Sequence, residues 1–428
     1  MDRREALGQL GALALAAAAA EVGAVGKQSR EGDVSMDNQH TRKLWEQCLE
    51  QLRENGSFID TSLVEADSPD MAREAVSYLF MSLASAYILM ARSDPDNPEF
   101  LPLVNHVLDY AAPNPDATYY FARITSEGVY RVFGYRNSVH WVDFLTGYDF
   151  VGFTDKPGKA FASKQIDNFI INDDGSFELY LSNTRPAGYL GNWMKLEPRV
   201  NYLLIRQFAY GPDEVDARMG IERLDKTSAP QIHSSEKTAG LIDDIIRHVK
   251  TSSSAWPGFA RWLHEYPVNT FHIFPLKGVG EVEGQSYYES LYEIAQDQAL
   301  LIEFTLPKQC FYWNIQIADR FWRTLEYMNR HTSFNGHEER TDNDGKVRIV
   351  IAHQDPGVAN WVDACGVTEG HLLIRFQQAD SRPVPTTKLL PYDEVDKFLP
   401  AETRRVSMAE RAQQIRRWRM ARQLRRSW

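Results

Sequence analysis

Residues 172–208 read NDDGSFELYLSNTRPAGYLGNWMKLEPRVNYLLIRQF, and residues 342–377 read DNDGKVRIVIAHQDPGVANWVDACGVTEGHLLIRFQ. Both open on Asp-Gly, run into an alternating strand, cross a proline-containing loop, reach Asn-Trp and end on Leu-Leu-Ile-Arg. Gly175 to Asn192 spans 17 residues and Gly345 to Asn360 spans 15, so the spacing is held as well as the composition. One strand–loop–strand unit is used twice. Long loops between short strands exclude parallel βαβ units and predict antiparallel sandwich or jelly-roll halves. Upstream, TYYFARI (118–124) aligns with CFYWNIQ (310–316) as a further shared strand.

Other segments carry helical periodicity. TRKLWEQCLEQLREN (41–55) places Leu44, Cys48 and Leu52, and Trp45 and Leu49, at i, i+4 spacing, predicting a buried stripe. A second helix begins at Ser68 as N-cap with Pro69 in the first position, and its apolar character after Val76 predicts a core helix. EKTAGLIDDIIRHVK and SYYESLYEIAQDQALLIEF are read as helices between 212 and 302. The fold class is α+β: two β-rich halves related by an internal repeat, an N-terminal helical region and an inserted helical segment. The divisions expected are a signal-like segment 1–35, a helical region 36–112, a β-rich unit 113–211, a helical connection 212–302, a second β-rich unit 303–390, and a connector with basic tail 391–428.

The net charge of −11 is unevenly spread. Arg404–Trp428 holds nine arginines against one acid, a net +8, so the remaining body carries −19. Such a tail suits an acidic surface of its own chain or of a partner subunit better than nucleic acid, which the body would repel. Arg3-Arg4 before an Ala/Gly-rich run has the form of a twin-arginine export signal, with small residues at Ala18–Ala20 for cleavage. An exported, periplasmic protein is expected, or a cytoplasmic one if translation starts at Met36. The run is too short and alanine-rich for stable membrane insertion. Cys48, Cys310 and Cys365 are too scattered for a disulfide framework, and no CxxC pair suggests zinc.

The repeat sorts the candidate site residues. Asn192, Asn360, Trp193 and Trp361 occur in both copies and read as builders of the fold. Arg206 and Arg375, at the ends of apolar strands, need carboxylate or carbonyl partners. What differs is more informative: Arg185 and Lys195 correspond to Asp355 and Asp363. Either these acids form ion pairs with the basic residues of the other half, or they act as acid and base at a site. Asn114, Asp116 and Tyr119 form a second cluster, in an Asn-Pro-Asp segment that is also a turn signal. His331, Asn335, His337 and Glu338 fit no metal motif and read as a solvated loop. A polar row of Trp313, Asn314 and Gln316 with Asp355, Asn360 and Asp363 would suit a hydroxyl-bearing ligand, and Arg375 counts among the candidate ligand-binding residues.

DGKVRIVIAHQDPGVANWVDACGVTEGHLLIRF, preceded by FYWNIQIADRFWRTLEYMNRHTSFN, resembles the bacterial domain of unknown function DUF1214. PNPDATYYFARI (113–124) is similar to a segment of domain of unknown function DUF1254, with Ala117 where threonine is usual. The resemblance implies paired β-rich domains and homo-oligomers, and implies no reaction. Two functions follow from the residues. One is a hydrolase or lyase using Asp355 or Asp363 with Tyr119 on a small polar or glycan-like substrate. The other is a non-catalytic ligand-binding protein of the cell envelope. No metal site is expected, and the sequence specifies no cofactor.

Overall fold

The computed structural model describes residues 34–55, 69–226, 235–259, 261–274 and 284–425. The twin-arginine stretch and Ser68 lie outside them. The chain divides into two units, Met1–Glu54 and Asn55–Trp428. In the first, helix α1 (Val34–Asn55) keeps Leu44, Cys48 and Leu52 half-buried but leaves Trp45 and Leu49 exposed, so the expected buried stripe holds only in part.

The second unit contains four sheets among the described residues. The first half pairs a five-stranded sheet with a four-stranded one. The larger runs β1 (Leu101–Pro102), β2 (Ala117–Arg123), β8 (Tyr202–Phe208), β4 (Trp141–Gly147), β5 (Ala160–Gln165). The smaller runs β7 (Trp193–Lys195), β6 (Ser176–Ser182), β3 (Tyr130–Tyr135), β9 (Arg218–Arg223). The second half repeats both. Its larger sheet is β10 (His272–Ile273), β11 (Gln285–Glu293), β17 (Glu369–Gln377), β13 (Tyr312–Ala318), β14 (Ser333–Asn335). Its smaller sheet is β16 (Trp361–Asp363), β15 (Lys346–Ala352), β12 (Gln298–Thr305), β18 (Thr386–Pro391). Each sandwich encloses its own core, around Val132, Phe144, Leu179 and Ile205 in one and Ile302, Ile315, Ile349 and Ile374 in the other. The duplication is therefore real, with one revision: Tyr312–Ala318 is the counterpart of Trp141–Gly147, while Ala117–Arg123 answers to Gln285–Glu293.

The repeated residues act as the duplication suggested. Asn192 accepts from Ile170 N–H and donates to the carbonyls of Ile170 and Glu178. Asn360 does the same with Arg340 N–H and the carbonyls of Arg340 and Arg348. Each amide thus staples a loop to the strand start and leads into a short parallel pairing, β6 with β7 and β15 with β16. Gly175 and Gly345 make the same turn at φ +80° and +79°, a region that glycine enters without a Cβ penalty.

Residues 286–304 are not a helix. They are the hairpin of β11 and β12, and β11 pairs with β17 from Gln285↔Gln377 to Glu293↔Glu369. Tyr288 and Tyr292, four apart, share a face in a strand as well as in a helix, so the spacing could not discriminate. EKTAGLIDDIIRHVK does form a helix, within α3 (Ser235–Phe259). The apolar helix α2 (Pro69–Ala86) packs on α3 but is no central core element: Tyr78 and Ala86 are buried while Val76 and Phe80 are 52% and 67% exposed.

The basic tail forms α4 (Met408–Leu424), opened by a Ser407/Glu410 capping box. It docks on the acidic body of its own chain through Arg411–Asp355 at 3.0 Å, Arg417–Asp213 and Arg425–Asp216 at 2.8 Å.

Candidate functional site between the halves

The two five-stranded sheets bury both faces. Along β8, Leu203 and Ile205 enter the first sandwich, while Leu204, Arg206 and Phe208 point the other way, toward the second half. Along β17, Ile374 and Phe376 enter the second sandwich, and Leu373 and Arg375 point toward the first. Between them lies a cavity of about 200 Å³, mostly apolar, lined by residues of both halves together with Trp256 and Phe259 of α3 and Trp322.

The repeat brings the same cross-strand triplet to each side. In the first half Tyr119, Arg206 and Asp143 stand opposite one another on β2, β8 and β4. In the second, Tyr287, Arg375 and Asn314 stand likewise on β11, β17 and β13. The third member makes the difference. Arg206 donates to Asp143 Oδ2 at 2.8 Å, a pair with side chains 9% and 0% exposed. Among the described residues Arg375 has no carboxylate within ion-pair distance; it donates to Gln316 Oε1 and, at 3.5 Å, to Asn314 Oδ1. Two guanidiniums in equivalent places thus differ in charge compensation, and Arg375 presents a net positive charge to the cavity.

The Asn-Pro-Asp segment joins this site. Asn114 Oδ1 accepts from Asp116 N–H, an Asx turn as its composition suggested, and also from Asn314 Nδ2 at 2.9 Å. Asn114 Nδ2 donates to Tyr312 Oη, which donates to Asp116 Oδ2 at 2.9 Å. Gln316 Nε2 donates to the carbonyls of Ala112 and Pro113 and to Thr324 Oγ1. Tyr119 Oη accepts from Asn114 N–H, leaving its own hydrogen available to the cavity it lines. Arg425 at the end of α4 donates to the carbonyls of Asp116 and Gln207, bracing the segment from behind. Burial raises the pKa of Tyr119, Tyr287 and Asp116, so both phenols remain protonated donors.

Buried polar atoms on cavity-lining residues that find no partner among the described residues include these four: Gln285 Nε2, Glu289 Oε2, Trp256 Nε1 and Trp322 Nε1. Native interiors satisfy nearly all such atoms, and a concentration of exceptions on one cavity marks a place where a ligand or water completes the bonding. Three of the four are donors. Glu289 is 2% exposed, and burial drives its pKa up to about 8 against the lowering influence of Arg375. Among the described lining residues the other carboxylate is Asp149, which is bonded to Arg199 and Asn201.

Of the residues picked from the sequence, Asn114, Asp116, Tyr119, Asn314, Gln316 and Arg375 therefore converge. Asp355 and Asp363 do not. Asp355 is the counter-ion of Arg411, whose guanidinium stacks over Trp361 at 5.2 Å, whereas in the first copy Arg185 itself stacks over Trp193 at 5.8 Å. The sign reversal from Arg185 to Asp355 thus recruits the tail helix. Asp363 pairs with Arg330 at 2.7 Å and accepts from Cys365 N–H. Neither acid faces Arg185 or Lys195, which bond within their own loop and to Glu197, so the cross-half ion pairs are also withdrawn. Trp313 lies in the second sandwich core, donating to Glu339, and Asn360 is the staple. The His331–Glu338 stretch is solvated only in part: His331 and Asn335 are buried, 5% and 1% exposed, while His337 is exposed. Among the described residues no group of three His, Cys, Asp or Glu is placed to hold a metal ion. Glu289 has little signal in the sequence, an acid amid tyrosines whose spacing suits a helix as well as the strand it lies in.

The family model described as a protein of unknown function, DUF1214, matches residues 145–214 and 293–381, one match in each half. The matches do not reach residues 113–124. No curated protein matches. A crystal structure of an uncharacterized protein from Burkholderia cenocepacia superposes with a TM-score of 0.77 at 27% identity, covering 83% of this chain and 98% of that one. A Vibrio parahaemolyticus protein reaches a TM-score of 0.43 at 11% identity, covering 74% of this chain and 99% of that one.

Proposed function

We propose that this chain, with a DUF1214 region in each of its two β-rich halves, binds a small organic acid in the cavity between them. The single observation that carries this is the donor-rich, undersatisfied lining. Among the described residues, Arg375 brings a charge with no carboxylate partner, and Gln285, Trp256 and Trp322 bring unpartnered N–H groups. Such a lining favours a ligand rich in acceptors. The rest is apolar and aromatic, including Leu204, Phe208, Phe259 and Leu373, which suits an alkyl or aryl body better than a glycan. A hydrolase or lyase acting through Asp355 and Asp363 has no support from where those acids lie. The ligand-binding reading is the better supported of the two.

The test is calorimetric titration of the full chain with hexanoate and benzoate against 1-hexanol and benzyl alcohol. The carboxylates should bind and the alcohols should not. Arg375→Met should weaken carboxylate binding by roughly 10- to 150-fold, the worth of a charge-assisted hydrogen bond of about 1.5–3 kcal/mol. Equal binding of acids and alcohols, or an unchanged affinity in Arg375→Met, would remove the proposal.

A further inference from the structure

We infer that Glu289 is the specificity-determining partner of the bound acid: it meets the ligand as a neutral carboxyl, so that capture of the anion is coupled to holding one proton. This deepens the organic-acid reading and rests on it. The geometry comes first. Glu289 occupies on β11 the position that Phe121 occupies on β2, since Tyr287 and Tyr119 stand opposite the two equivalent arginines. A phenylalanine in one copy is thus a carboxyl in the other, on the side whose guanidinium has no carboxylate partner. Its Oε2 is buried on the cavity wall without a protein donor or acceptor.

An ionised Glu289 would stand beside an incoming carboxylate in a low-dielectric cavity, and like charges there repel strongly. A neutral Glu289 instead donates its O–H to a ligand oxygen, next to the guanidinium of Arg375. The pKa of about 8 leaves the neutral form dominant at neutral pH. The surrounding titratable groups do not compete in that range. Across the cavity, Tyr119 and Tyr287 are held above their ordinary values by burial. Arg206 is paired with Asp143, and Asp149 with Arg199. On the strands flanking β11, burial lowers the pKa of His272 on β10 and brings that of His371 on β17 down to about 3. His264 sits in the short helix Arg261–Glu265 against the same strand.

The test titrates the wild-type chain with hexanoate from about pH 6 to about pH 9.5, in two buffers of different ionisation enthalpy. Affinity should be flat at the acid end and fall about tenfold per pH unit once the medium passes Glu289's own value, with proton uptake appearing over the same range. Glu289→Gln, a permanent neutral donor, should lose the alkaline fall. A wild-type affinity that stays flat throughout, or an alkaline fall unchanged in Glu289→Gln, overturns this inference while leaving the organic-acid site standing. Absence of hexanoate and benzoate binding at every pH overturns the site itself. The two-buffer proton count uses the wild-type chain alone, so the inference stays testable if Glu289→Gln folds poorly.

Discussion

Replacing the two equivalent arginines by methionine separates a guanidinium that holds the fold from one that is left for a ligand. Arg206→Met removes the partner of Asp143, whose side chain is fully buried and 2.8 Å from the guanidinium. A buried carboxylate without its cation must bear its desolvation or take up a proton, and breaking such pairs costs roughly 3–5 kcal/mol. Arg375→Met leaves only amide oxygens short of a donor. Asn314 Nδ2 keeps its bond to Asn114 and Gln316 Nε2 keeps its three acceptors, and the lost contact to Asn314 Oδ1 is already 3.5 Å long, so the cost is chiefly that of one neutral acceptor, Gln316 Oε1, about 1–3 kcal/mol. The difference, roughly 2 kcal/mol, is readable in urea unfolding followed by tryptophan fluorescence, provided the slopes are unchanged. Asp143→Leu combined with Arg206→Met should recover much of the loss, because a well-packed apolar pair replaces a buried ionic one at little cost. Equal losses for the two arginines, or a greater loss at Arg375, would show that the Asp143/Asn314 difference is not what distinguishes them.

Asn360→Ala should destabilise by roughly 2–4 kcal/mol by stranding three backbone groups, and Asn192→Ala by less because its loop is more open; urea midpoints compare them. Asp355→Asn and Arg411→Ala should each cost about 1–3 kcal/mol and combine non-additively, in a double-mutant cycle of thermal unfolding. His371 is held neutral by burial, with its pKa down at about 3 against an ordinary 6.5. A lowered folded value means its contribution is complete above about pH 6.5 and is lost as the medium falls toward pH 3. Unfolding temperature should therefore drop on acidification through this window, and His371→Leu should flatten the slope.

The duplicated pattern by itself determined the two β-rich halves, the Asn-Trp staple and the Asp-Gly turns, because these rest on local spacing: a period of two, an Asx amide, a positive-φ glycine. It also singled out Arg206 and Arg375 as charges that must find partners. It could not say which face each strand turns toward the other half. Strands buried on both sides, such as Trp141–Gly147 and Tyr312–Ala318, carry Asp143, Asn314 and Gln316 within apolar sequence, and burial of both faces hides which of them turns toward the other half. For that reason Asp355 and Asp363, conspicuous in the alignment of the copies, proved to serve the tail helix and a surface turn. Glu289 went unseen, since tyrosines four residues apart suit a helix and a strand alike. Only the packing of the two sandwiches against each other brought Asn114 within 2.9 Å of Asn314, some 200 residues away, and set Arg375 and Glu289 on one cavity. Residues that meet across two separate sheets have no spacing in the chain to betray them, and they are the ones on which the proposed site depends.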